Sequence, residues 1–89
     1  MPNSVTHVGN KAFGWCVRVA SVKLSISLTH IGDDAFRGCG SLLELVLPDT
    51  LTHVGSNAFN GCTSLARVTM PVVRPFIRGN AFHGCAWHE

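Results

Sequence analysis

Cys16, Cys39, Cys62 and Cys85 recur at one interval of 23 residues, and His7, His30 and His53 recur at the same interval. Cysteines in a short chain can pair as disulfides, hold zinc as thiolates or act as redox nucleophiles. A line of imidazoles can coordinate a metal, or switch with pH by mutual repulsion once protonated. His83, Cys85 and His88 add a further set of soft ligands near the C-terminus. Each chemistry competes with a plainer explanation, because the residues around every cysteine recur with it. Self-similarity at a fixed period is the signature of a stacked repeat and has to be weighed first.

On a 23-residue grid, Val5-Thr6-His7-Val8-Gly9, Leu28-Thr29-His30-Ile31-Gly32 and Leu51-Thr52-His53-Val54-Gly55 align, each leading to an Ala-Phe pair ending at Phe13, Phe36 or Phe59. A fourth copy reads Arg74-Pro75-Phe76-Ile77-Arg78 and recovers the pattern at Asn80-Ala81-Phe82, then Gly84-Cys85. After the first three cysteines runs an apolar ladder: Val19, Val22, Leu24; Leu42, Leu45, Leu47; Leu65, Val68, Met70. Its last two members are two residues apart, which is the side-chain period of a strand. Val22-Lys23-Leu24, Leu45-Val46-Leu47 and Val68-Thr69-Met70 are therefore expected to stack as parallel strands. Pro48 and Pro71 follow, where the missing N–H ends a ladder, and Ser25 is the exception in that column. Leu28 and Ile31 are three apart and read as a short strand with a bend. Asp33 to Gly38 reads as one helical turn, with Asp33 at its N-cap and Gly38 closing it in a left-handed conformation.

The expected architecture is a repeat solenoid: a right-handed coil with a parallel β-sheet on one side and short helical turns or loops on the other. It forms a single unit over residues 1–89, in coils 1–23, 24–46, 47–69 and 70–89. Isolated coils cannot bury their apolar side chains, and just under four copies makes for marginal stability.

The string Leu42-x-x-Leu45-x-Leu47-Pro48, then Leu51-Thr52-His53-Val54-Gly55-x-x-Ala58-Phe59-x-Gly61-Cys62, closely resembles the BspA-like class of leucine-rich repeat, and the resemblance covers essentially the whole chain. It implies a bacterial or protist surface protein that binds matrix proteins or other cells, without enzymatic activity and without a cofactor. Two departures stand out: Trp15 replaces glycine in the first copy, and Trp87 and His88 replace the serine and leucine of the inward ladder in the last. Met1-Pro2 aligns with Met70-Pro71, as expected of a fragment cut from a longer array.

Phe13, Phe36, Phe59 and Phe82 precede Cys16, Cys39, Cys62 and Cys85 by three residues, so ring and thiol project inward together and the cysteines read as buried free thiols. For the histidines, Phe76 in the same column argues for a tolerant surface position and against a reserved ligand. Net charge is +2 and the basic residues are dispersed, so the footprint of a nucleic-acid binder is missing. No apolar stretch approaches the length of a membrane span. No nucleophile elbow, phosphate loop or zincin string occurs, and the Asp33-Asp34 dyad suits a turn rather than acid–base chemistry. The outward residues of the sheet, Ser21, Lys23, Glu44, Val46, Arg67 and Thr69, are the expected binding face for a protein or cell-surface ligand. Glu44 and Arg67 are expected to pair across strands. The alternative is a structural spacer that associates end to end through its unpaired edges.

Overall fold

The computed structural model describes residues 1–87. Six short strands run in chain order: β1 His7–Val8, β2 His30–Ile31, β3 Glu44–Val46, β4 His53–Val54, β5 Arg67–Thr69 and β6 Phe76–Ile77. They form two parallel ladders, a four-stranded one in the order β1-β2-β4-β6 and a two-stranded one, β3-β5. Each strand pairs with its counterpart one repeat away, His7 opposite His30 opposite His53 opposite Phe76, and Glu44 opposite Arg67. The fold is thus a stack of coils with two sheet walls where the spacing of the leucines pointed to one. In the bend at Leu28–Ile31 only His30 and Ile31 are extended, but they repeat in every coil and so build the wider wall. The first-copy rung Val22-Lys23-Leu24 is not a strand; its coil joins the second wall through a single bridge, Ser21 to Glu44.

Between the walls, residues 33–38 form a string of turns, and no helix occurs among the described residues. Amides alternate in their allegiance. Those of Ala35, Arg37 and Cys39 bond back three residues within the coil, while those of Asp34, Phe36 and Gly38 reach the Ser56, Ala58 and Asn60 carbonyls of the next coil. The alternation demands left-handed backbone at two positions per coil, Asp34 (φ 58°) and Gly38 (φ 74°), and Asn and Gly serve best there. Trp15 occupies the glycine position at φ 62°, and its exposed indole lies over Gly38, where a Cβ would collide with it. Asp33 does not cap its own turn. Its Oδ1 accepts the Ser56 amide of the following coil at 2.8 Å, as Asn10 Oδ1 accepts that of Asp33. Close approach at these rungs explains Gly55, whose added Cβ would stand 2.5 Å from the Asp33 nitrogen.

The core sits in the middle coils, where Leu28, Leu42, Phe59, Cys62 and Leu65 are fully enclosed, with Leu45 on β3 and Leu47 just past its end buried as alternation requires. Burial fades toward the ends, from Phe59 (0% exposed) to Phe13 (39%). At the C-terminal end Trp87 packs edge-on against Phe82 at 4.9 Å and its amide donates to Leu65 O at 2.7 Å, giving that end an aromatic cover. Ser25, the exception in the proline column, is buried and uses the N–H that proline lacks to reach Met1 Sδ.

Candidate functional site

The second wall brings the predicted face together. Ser21, Lys23, Glu44, Val46, Arg67 and Thr69 are all exposed, and the last four are register partners on β3 and β5. A groove of about 540 Å³ runs beside them, lined by Ala20, Ser21, Leu43, Glu44, Ala66 and Arg67. The expected Glu44–Arg67 ion pair does not form; the ion pair found among the described residues is Arg37 with Asp34 at 3.3 Å. Exposed side chains opposite one another on a short two-stranded ladder gain little from pairing in water, so both charges stay open to a partner. Leu43 and Val46, each more than half exposed, supply apolar surface next to them, with Leu43 not foreseen because alternation extended back from Leu45 and Leu47 would turn it inward, whereas β3 begins only at Glu44.

The thiols stand in the opposite situation. All four are free, Cys39 and Cys62 buried and Cys16 and Cys85 half-buried. The Phe13, Phe36 and Phe59 carbonyls each close the turn to their own cysteine amide and also accept the thiol of the next coil: Cys39 Sγ to Phe13 O at 3.2 Å, Cys62 Sγ to Phe36 O at 3.1 Å, Cys85 Sγ to Phe59 O at 3.1 Å. The cysteine column is thus a small apolar filler with one weak donor that satisfies a carbonyl. Burial pushes the Cys39 thiol up. The neighbouring Cys85 thiol and then burial push Cys62 up, which keeps the central thiols protonated and unreactive.

The histidines lie on the first wall as a stack. His7 and His30 are 4.5 Å apart and 6° from parallel, His30 and His53 4.5 Å and 5°, and Phe76 closes the column edge-on at 6.1 Å. Each Nδ1 meets the preceding threonine hydroxyl, at 2.9 Å from Thr6, 2.8 Å from Thr29 and 2.9 Å from Thr52. The Thr29 and Thr52 hydroxyls give their one proton to Thr6 O and Thr29 O at 3.0 Å. Nδ1 of His30 and His53 must therefore carry the hydrogen, and Nε2 is left as the nitrogen with a free lone pair. Desolvation, then the charges of His53 and His7, hold His30 below the ordinary imidazole range. Among the described residues no three His, Cys, Asp or Glu side chains converge as a metal would require. The His83, Cys85 and His88 set includes a residue outside the described ones. No described helix is long and apolar enough to cross a membrane.

Parallel strands paired one repeat apart, leucines turned inward from the second wall and turn-closing glycines define a leucine-rich-repeat solenoid. Within that class, the chain belongs to the BspA-type leucine-rich repeat family, whose model, a region of six copies, matches residues 1–89. It is also similar to the crystal structure of a leucine-rich repeat protein of Treponema pallidum, at 27% identity and a TM-score of 0.66. The alignment covers 97% of this chain and 51% of that one, so the chain spans about half the length of that structure. No curated protein matches it in sequence.

Proposed function

We propose that the chain is a non-enzymatic scaffold for protein or cell-surface recognition, and that the β3-β5 wall is its contact face. The observation that carries this reading is the open pair Glu44 and Arg67, held in register, unbonded to each other and flanked by exposed Leu43 and Val46. Charge beside apolar surface on a rigid ladder is the composition of a recognition patch, with Arg67 its best anchor. Membership of a leucine-rich-repeat family supports interaction as the general role.

The test is a pull-down from surface-extracted host matrix proteins, followed by binding measurements on the captured partner with Glu44→Ala/Arg67→Ala. A loss of about tenfold or more is expected for an anchor of this kind. Unchanged binding in the double variant removes the face from the proposal.

One observation favours a second reading, in which the segment is a spacer that associates end to end. The first coil leaves an apolar surface around Met1, Val5, Phe13 and Val22. Trp87 over Phe82 works against it at the other end. Sedimentation velocity across a hundredfold concentration range separates the two, since end-to-end association requires growing species and recognition does not.

A further inference from the structure

The geometry points to an acid-gated anion site along the β1-β2-β4-β6 wall, with a linear polysaccharide bearing sulfate or carboxylate groups as its ligand. This goes beyond the recognition reading, because it concerns different residues on a different wall.

The site is a groove of about 480 Å³ whose lining includes His7, His30, His53, Asn10, Asp33 and Arg78. Uncharged imidazoles present lone pairs. Because threonine already holds Nδ1–H at His30 and His53, protonation there has one place to go, Nε2, the nitrogen left to a ligand. Once protonated, the column is a row of cationic N–H donors at 4.5 Å steps. In the fourth rung Phe76 replaces histidine, but the Arg78 guanidinium lies over that ring at 5.7 Å, so the positive row continues. Asp33 is the opposing carboxylate in the groove, and one of its oxygens is occupied by the Ser56 amide.

Stacked cations repel one another, and His30, held down by desolvation and then by the charges of His53 and His7 on either side, resists charging. An anion across adjacent rungs removes that repulsion, so ligand and proton must bind together. Equal steps of one identical group along a parallel ladder match a polymer that repeats its own anion. A folded protein's acidic patch has no such period, and a single small anion reaches two rungs at most.

The experiment uses fluorescein-labelled dextran sulfate, whose charge is constant across the pH range, read by anisotropy at fixed ionic strength. Binding about tenfold or more tighter at pH 5.5 than at pH 7.5 is expected, with a steeper salt dependence in acid. The triple variant His7→Gln/His30→Gln/His53→Gln, confirmed folded by circular dichroism, should lose the difference. His83→Gln, outside the groove, and Glu44→Ala/Arg67→Ala, on the other wall, should keep it. Calorimetry at pH 6.5 in buffers of differing ionisation heat should show proton uptake on binding. Equal affinity at both pH values, a pH dependence that survives the triple variant or vanishes in His83→Gln, or an acid gain seen with phosphatidylserine vesicles but not with dextran sulfate, overturns the proposal.

Discussion

Phe13, Phe36, Phe59 and Phe82 stack at 5.1–5.2 Å and His7, His30 and His53 at 4.5 Å, two columns of rings generated by the same 23-residue period. One is enclosed at its centre, with Phe59 at 0% exposure; the other lies on the surface. Periodicity therefore aligns any side chain with its own copy, whatever its chemistry. Environment decides what the alignment is for: inside, it fills volume, and outside, it repeats one functional group along a line.

The contrast is sharpest under truncation. Phe59→Ala should cost about 3–5 kcal/mol, combining transfer and cavity terms, which is a large fraction of the stability of a chain of this size. His53→Ala should stay within about 0.5 kcal/mol by urea denaturation. Comparable losses at the two positions would show that the surface stack carries stability after all.

Next in size is a contrast within one column of glycines. An added Cβ at Gly55 meets the backbone of Asp33 and Gly32 at 2.5 Å, whereas at Gly9 it meets nothing within 4 Å. Gly55→Ala should destabilise by about 1–3 kcal/mol as the coils are forced apart, and Gly9→Ala should be near neutral. Equal effects would mean that the coils relax apart freely at this rung.

The thiols offer a kinetic version. Denatured protein should yield four reactive thiols. In the native state Cys16 and Cys85 should alkylate first, while Cys39 and Cys62, buried and held protonated, react only through opening. Fast native labelling of Cys62 would show that the centre of the inner column is not closed.

The smallest effect lies on the outer column. The folded-state pKa of His30 is lowered, so below the unfolded value of 6.5 the unfolded chain binds more protons. The contribution of His30 to stability is full above pH 6.5 and is lost as pH falls through its lowered pKa. The melting temperature should drop slightly more between pH 7.5 and 5.5 in the parent chain than in His30→Phe, which places in the second coil the ring type already found at Phe76. Identical pH profiles would show that the stacked imidazoles do not feel one another.

The repeat register, the inward leucines of β3 and the pairing of Phe with Cys three residues on were legible in the sequence, because each depends on a spacing that the chain states several times. The first wall was legible only as a bend at Leu28–Ile31, since strands of two residues show no alternation to count. The expected Asp33 cap and Glu44–Arg67 pair rested on local pattern, and in both cases the neighbouring coil decided: it supplied a better donor for Asp33, and it placed Glu44 and Arg67 side by side in water. The imidazole tautomers were out of reach, because they follow from a threonine proton committed to a carbonyl in the coil before.

The alternating amides of the turn side have a genetic consequence. Half of those bonds close within a coil and half join a residue to the one 22 positions on, just before its counterpart, with the same offset at Phe13, Phe36 and Phe59. A recombination that adds or removes one whole period leaves every donor facing the same kind of acceptor, wherever in the repeat the crossover falls. Slippage of a gene between its own copies would therefore change the length of the protein while leaving its joints intact, so arrays of different lengths can arise without passing through an unfolded ancestor.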